Sequence, residues 1–145
     1  MPEVEEKPSA LRTVARVALG SALIVAGASH LTFARRGFRA QVPRKLTDAM
    51  PFGKDDVVLM SGIVEIGLGG ALALLPKEQR RIGTIAGVFF TAIYPGNLSQ
   101  FFRRDSALGL DTDRKRAVRL VFQPLLVAWT LWSTGVLGGL IRRWR

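Results

Sequence analysis

The charged residues of this chain are separated from its apolar residues, and this separation restricts the fold more than any other feature. Four stretches hold 73 of the 145 residues but only one charged residue, Glu65; they are 17–33, 57–75, 82–97 and 120–140. With 21 Lys and Arg and 11 Asp and Glu in the chain, an even distribution would place about sixteen there. Each stretch approaches the roughly 20 apolar residues that a bilayer-spanning helix needs. We therefore expect an all-α integral membrane protein, an up-and-down bundle of four transmembrane helices.

Two alternatives account less well for this pattern. A soluble four-helix bundle would carry charged residues every three or four positions along each helix, and runs of 16 to 21 residues with one charge among them do not allow this. A cleaved signal peptide is suggested by the small residues 26–28 after an apolar run. The segment before that run is acidic, however, and three more apolar stretches follow. We expect the first stretch to be retained as a helix.

The composition excludes several kinds of site. Without cysteine the chain has no disulfide, thiol redox chemistry, iron–sulfur cluster or thiolate zinc site. His30 is the single histidine, so we expect no two-histidine haem site and no metal site. A net charge of +10 in a soluble chain would suggest nucleic acid. Here the cations lie in loops and tails, where they set topology and contact anionic headgroups, so we expect a lipid bilayer and no nucleic acid as partner.

Charges and prolines divide the chain into a polar N-terminal tail, residues 1–13, and one membrane domain, residues 14–141. The predicted spans cover about 14–33, 57–75, 82–102 and 118–140, and the segment 34–56 is predicted to be a basic interfacial loop. Arg16 is expected to extend into the headgroups from the first span. Pro95-Gly96 predicts a kink or break in the third helix, and Pro124 lies near the start of the fourth.

Four spans place the two termini and the turn 77–81 on one side of the membrane, here called the terminal side. The segments 34–56 and 103–116 lie on the other, the loop side. Counting Arg16 and Arg119 with the sides nearest to them, the terminal side carries nine Lys and Arg and the loop side twelve. The positive-inside rule therefore favours a cytoplasmic loop side.

Small residues at a spacing of four mark one face on each of three predicted helices. These faces are Ala18, Ala22, Ala26 and His30 in the first helix, Ser61, Glu65, Gly69 and Ala73 in the second, and Gly83, Gly87, Thr91 and Pro95 in the third. Helices in lipid associate where small residues let backbones approach, so we expect helix contacts at these faces, with Gly69 and Gly87 as structural residues. The alternative is that glycine and alanine are simply common in membrane helices.

Four polar residues, one per predicted helix, are expected at similar depth in the loop-side half of the membrane. Counted at 1.5 Å per residue, His30 lies about 5 Å inside the membrane, Gln123 about 8 Å and Glu65 about 12 Å, and Asn97 lies in the same half. Arg119, four residues before Gln123, is placed to supply a cation at the mouth of this cluster. The sequence therefore predicts a polar site inside the bundle.

Glu65 is the most informative member of the cluster. An ionisable group at this depth costs at least about 2.5 kcal/mol and by default marks a functional site. It would lower that cost by binding a proton or by pairing with His30, Arg119 or Asn97. Two interpretations stay open: a hydrogen-bonded clasp that only holds the helices together, and a pocket that binds a ligand or relays protons.

Five segments, in order, resemble the DoxX-like family of small four-helix membrane proteins. They are Gly27-Ala28-Ser29-His30-Leu31-Thr32-Phe33, Val42-Pro43, Ser61-Gly62-Ile63-Val64-Glu65-Ile66, Tyr94-Pro95-Gly96-Asn97 and Arg119-Leu120-Val121-Phe122-Gln123-Pro124-Leu125-Leu126. Together with Leu75-Pro76 and the basic turn, they cover about residues 14 to 135. The resemblance implies a multi-pass up-and-down bundle in a bacterial inner membrane. Its named member is a subunit of a thiosulfate:quinone oxidoreductase, and most relatives have no assigned activity.

Two function classes follow. The first is a quinone-linked or redox-associated accessory subunit, in which His30, Glu65, Asn97, Gln123 and Arg119 hold a quinone headgroup or pass its protons. The second is a non-enzymatic component that binds a lipid, a partner membrane protein or further copies of itself. Since no redox centre can be built from these residues and no cofactor is expected to be bound covalently, we do not expect a self-sufficient enzyme. A redox role would require a borrowed cofactor, such as quinone, or a partner redox protein.

Overall fold

The structure, a computed structural model, describes residues 7–104, 106 and 110–145, and this part of the chain is helical with no β-strand. Its α-helices are α1 (Ala10–Leu31), α2 (Arg35–Phe38), α3 (Arg44–Ala49), α4 (Lys54–Leu74), α5 (Gln79–Phe102), α6 (Asp113–Ser133) and α7 (Val136–Arg143). Two 3-10 turns, Arg39–Gln41 and Pro76–Glu78, lie between them. The all-α class is thus confirmed.

Two of the four long helices, α1 and α6, begin at side-chain caps that the sequence supplies. The Ser9 hydroxyl accepts a hydrogen bond from the backbone N–H of Arg12 at the start of α1, at 3.3 Å. The Thr112 hydroxyl accepts one from Lys115 at the start of α6, at 3.2 Å. Such caps satisfy backbone donors that a helix leaves unpaired in its first turn. They explain why α1 and α6 begin four and five residues before the spans predicted for them, 14–33 and 118–140.

Within the described residues, two helices are long and apolar enough to cross a membrane, α1 and α4. Helices α6 and α7 make a third candidate if the bent pair is one span. Helix α5 is long enough but carries Asn97, Ser99 and Gln100 in its second half, which lowers its mean hydropathy. It continues through Pro95 without interruption, so the break that we considered there is not observed.

We predicted one continuous helix over 118–140, and this prediction is wrong. Helix α6 ends at Ser133, Gly135 adopts the left-handed conformation with φ 80°, and α7 leaves at an angle of 81° to α6. The N–H groups of Thr134 and Gly135 bond back to Thr130 and Trp132 at 3.2 and 3.1 Å. A left-handed glycine just past the last helical turn is a common helix terminator, because glycine has no Cβ to oppose that backbone conformation.

The four long helices pack as two antiparallel pairs, α1 with α4 and α5 with α6. Contacts of α1 with α6 and of α4 with α5 join the pairs. One of these contacts is a 3.0 Å hydrogen bond that the Trp129 indole donates to the carbonyl of Ala15. The apolar core lies between the pairs and consists of Leu19, Leu23, Leu72, Ile82, Ala86 and Phe90.

Glycines bring the backbones of α1 and α4 into contact. A Cβ at Gly27 would lie 2.5 Å from the carbonyl oxygen of Gly62, and a Cβ at Gly69 would lie 2.5 Å from that of Gly20. Real side chains do not approach backbone oxygens so closely, so larger residues would force the helices apart. The contact predicted at Gly69 is present.

The face predicted for α1 is wrong in part, because Ala18 and Ala22 are exposed. The α1–α4 interface consists of residues spaced alternately by four and three; these are Arg16, Gly20, Leu23, Gly27 and His30 on α1 and Val58, Gly62, Glu65, Gly69 and Leu72 on α4. Arg16 is also placed differently from our expectation. Its guanidinium is buried and donates a hydrogen bond to the carbonyl of Leu72, so it does not extend away from the helices.

The segment expected as an interfacial loop, 34–56, is largely ordered into α2, the first 3-10 turn and α3. Arg35 and Arg39 both bind the carboxylate of Asp55 in the first turn of α4, the latter at 2.7 Å. Val42 is buried. The segment therefore folds back over the loop-side ends of α4 and α5.

Candidate functional site

His30 of α1 and Glu65 of α4 form an ionisable pair in which both side chains are buried. It is the only such pair among the described residues. The Nδ1 atom of His30 lies 2.7 Å from Oε2 of Glu65, and the side chains are 8% and 6% exposed. Neither atom has a hydrogen-bond partner of normal geometry among the described residues. Two buried polar atoms without other partners are stable only if they share a proton or carry opposite charges. The pair is therefore the candidate in this structure for the buried pairing that the sequence predicted for Glu65.

The α1–α4 interface and α2 together fix this pair. Gly62 lies one turn before Glu65, and a Cβ there would come within 2.9 Å of the His30 Cβ. On the other side of the imidazole, the ring of Phe38 in α2 packs edge to face against it. The imidazole is thus held between a glycine and an aromatic ring, which limits its rotation.

A second polar group lies between α5 and α6. The Arg119 guanidinium donates to the amide oxygen of Asn97 at 3.2 Å, and the Asn97 amide nitrogen donates to the amide oxygen of Gln123 at 3.1 Å. The Gln123 nitrogen then donates to the backbone carbonyl of Phe90 at 2.6 Å. Asn97 and Gln123 are buried, and Arg119 is half-buried. The result is a chain of three hydrogen bonds that runs from a cation into the interior.

The structure thus divides the five predicted site residues into two groups. No hydrogen bond joins the His30–Glu65 pair to the chain of Arg119, Asn97 and Gln123 among the described residues. Both groups lie between the loop-side ends and about the middle of the long helices.

A third polar contact, which joins Gln41 to Gln100, was not predicted from the sequence. Gln41 of the first 3-10 turn donates to the side-chain oxygen of Gln100 at 3.2 Å, and the carbonyl of Gln41 lies against Gly96. A side chain at position 96 would collide with that carbonyl. Gln41 lies in a basic segment, and nothing in the sequence marked it as a contact residue. Gly96, which directly follows Pro95 in a helix, is the signal that could have indicated a close approach of another backbone.

A cavity of about 920 Å³ opens beside the second polar group, along α6. Its polar lining comes from Thr112, Arg114, Lys115, Arg119 and Gln123, and its apolar lining from Leu110, Val118, Phe122 and Leu126. A few polar groups beside a mainly apolar wall are typical of a small-molecule site. Among the described residues, no three His, Cys, Asp or Glu lie together where they could hold a metal ion.

The predicted structural residues have different environments. Gly69 is buried against the backbone of α1, whereas Gly87 is buried against the end of the Leu131 side chain, which a Cβ would approach to 3.1 Å. Pro95 and Pro124 lie inside α5 and α6 and are both exposed.

The chain belongs to the family described as a domain of unknown function, DUF8561, whose family model matches residues 19–134. The match includes both polar groups and ends at the residue before Gly135. No curated protein and no solved structure matches the chain.

Proposed function

We propose that this protein is a multi-pass inner-membrane protein, a four-helix bundle of the DoxX-like type, that serves as an accessory subunit in quinone-linked redox chemistry. Its polar groups on the loop side bind a quinone headgroup and exchange protons with it. The observation that carries the proposal is the buried pair of His30 and Glu65, 2.7 Å apart. A hydrogen-bonded chain from Arg119 to Gln123 in the neighbouring helix pair supports it.

The distribution of side chains supports a membrane location. Among the described residues, the buried set includes ten polar side chains and eight apolar ones. Large apolar residues face outward along every long helix, among them Val25 (69% exposed), Ile63 (62%), Val88 (65%) and Val121 (66%). In water this arrangement would expose apolar surface on all sides of the molecule, whereas a bilayer solvates it at no cost.

The chemistry of the two polar groups suits a quinone. A quinone presents two carbonyl oxygens that accept hydrogen bonds, and its reduction to quinol takes up two electrons and two protons. Arg119 and Gln123 offer donors in the lining of the cavity along α6, and its apolar wall suits a quinone ring and tail. In this proposal the His30–Glu65 pair both hydrogen-bonds a quinone oxygen and exchanges protons with it, so quinone binding depends on the Glu65 carboxyl group.

The electrons come from a partner in this proposal. The chain has no cysteine and a single histidine, and the described residues include no metal-binding cluster. The role that we assign to the chain itself is to bind and orient the quinone and to move protons. A partner redox protein reduces or oxidises the quinone.

Purification from the native membrane in mild detergent, followed by mass spectrometry, tests the proposal. We expect quinone and a redox protein to co-purify, and we expect quinone to be lost in Glu65→Gln while the partner is retained. Co-purification of neither with the wild-type protein would contradict the proposal. It would favour a structural clasp as the role of the polar groups.

A further inference from the structure

Two cavities meet on the terminal side, at the opposite end of the long helices from the quinone site proposed above. One is an apolar groove of about 1210 Å³ between α5, α6 and α7, whose walls include Val88, Leu131, Val136 and Leu140. The other has a volume of about 820 Å³ and is basic; the cations in its lining are Lys7, Arg12, Lys77, Arg80 and Arg142. The two cavities share Arg80, Gly135 and Arg142.

Among the described residues, the basic cavity has no counter-charge. No aspartate or glutamate lines either cavity, and none of the ion pairs formed by described residues includes Arg12, Arg80 or Arg142. The Nε atom of Arg12 and the Oε1 atom of Gln79, which also belongs to the lining, are buried without a hydrogen-bond partner in the described part. Five converging cations and an unpartnered buried guanidinium nitrogen indicate an anionic ligand.

The bend at Gly135 creates the junction of the two cavities. Because α7 departs at 81° from α6, its basic end lies beside Arg80 at the start of α5, while Val136 and Leu140 cover the groove. Trp132 lines the basic cavity, and tryptophan is enriched at the depth of lipid headgroups. The groove also exceeds the usual range of about 300–1,000 Å³ for drug-sized ligands.

We propose that one anionic phospholipid occupies the two cavities. Its phosphate lies between Arg80 and Arg142, a further anionic or hydroxyl group of its headgroup faces Arg12 and Lys77, and an acyl chain lies in the groove. A soluble phosphate would satisfy the cations but leave the apolar groove empty, whereas a phospholipid fills both. This inference does not depend on the proposed quinone function, since the two sites share no residue.

Lipid titration of the purified full-length protein in a neutral detergent tests this site. Phosphatidylglycerol and phosphatidylcholine with identical short chains are added, and binding is followed by native mass spectrometry and by Tm. We expect saturable binding of phosphatidylglycerol with a raised Tm, and at least tenfold weaker binding of phosphatidylcholine. Arg80→Gln or Arg142→Gln removes one arginine and should weaken phosphatidylglycerol binding about fivefold. A basic residue contributes about 1 kcal/mol to binding an anionic lipid, and this energy corresponds to a factor of about five in affinity.

Two further variants separate a built site from general surface charge. Arg81→Gln removes the same charge next to Arg80, but Arg81 pairs with Glu78 and lies outside both linings, so it should bind like the wild-type protein. Gly139→Leu fills the groove from a position with nothing within 4 Å, so it should fold normally and lose phosphatidylglycerol binding. Equal loss in Arg81→Gln and Arg80→Gln, unchanged binding in Gly139→Leu, or the same rise in Tm with inorganic phosphate alone would each overturn the proposal.

Discussion

Gly62 provides the space that His30 occupies, since a Cβ at position 62 would lie 2.9 Å from the Cβ of His30. The same missing side chain lets the backbone of α1 approach, with the Gly27 carbonyl oxygen at 2.9 Å from that Cβ position. Close packing of α1 on α4 and the pairing of His30 with Glu65 are therefore two consequences of one residue. Substitutions at the interface should consequently change both stability and the polar site.

The glycines of α4 provide a matched test of this packing. Gly69→Leu should lower Tm in detergent strongly, because the new side chain meets the backbone of α1 at Gly20. Gly67→Leu adds the same side chain two residues away, where nothing lies within 4 Å, and should leave Tm nearly unchanged. Gly87→Leu should have an intermediate effect, because it meets only the movable end of Leu131. Equal Tm values for the variants at 67 and 69 would show that this face of α4 does not pack as described.

Gly135 should be required for the corner between α6 and α7. Gly135→Ala places a Cβ on a residue with φ 80° and against the Arg12 side chain. We expect a loss of stability of about 1–2 kcal/mol from the left-handed backbone alone. Gly138→Ala, in α7 with open space around it, is the control and should be neutral or slightly stabilising. Thermal unfolding of both variants measures the difference, and a fully stable Gly135→Ala would contradict the observed termination of α6.

Double-mutant cycles should distinguish the two polar groups. Asn97→Ala and Gln123→Ala remove partners of one hydrogen bond, so their combined effect on the free energy of unfolding should be less than the sum of the single effects. His30→Ala with Gln123→Ala combines residues of different groups and should be close to additive. Strong coupling in the second cycle would show that the five residues form one network.

Membrane orientation is testable with reporter fusions. The excess of basic residues on the loop side, twelve against nine, predicts a cytoplasmic loop side and a C-terminus on the opposite side. Alkaline phosphatase fused after Arg145 should therefore be active, and a fluorescent protein fused there should be dark. The reverse result would place the terminal side in the cytoplasm.

The sequence allowed the polar residues of the site to be predicted because charged and amide side chains are conspicuous in apolar helices. His30 with Glu65, and Asn97 with Gln123, were expected to converge, and each of these pairs is in contact. Their division into two groups was not predictable, because depth along a helix does not specify the helix face that meets a given neighbour.

The packing face of α1 was mispredicted for a geometric reason. A strict spacing of four residues drifts around a helix of 3.6 residues per turn, so Ala18 and Ala22 turn away from the line through His30. The observed interface alternates steps of four and three, which keeps Gly20 and Gly27 on that line. The bend at Gly135 was missed because apolar composition does not report a left-handed backbone.

Quinone binding to purified Glu65→Gln tests the central claim most directly. This variant keeps the shape of the side chain and most of its hydrogen bonding but cannot ionise, so its Tm should stay close to that of the wild-type protein. Glu65→Ala leaves His30 without its buried partner and should lower Tm. A soluble short-chain quinone titrated into detergent-solubilised protein should bind saturably to the wild type and at least tenfold more weakly to Glu65→Gln at equal stability. Equal quinone binding by both proteins, or no saturable binding by the wild type, would contradict the proposed site.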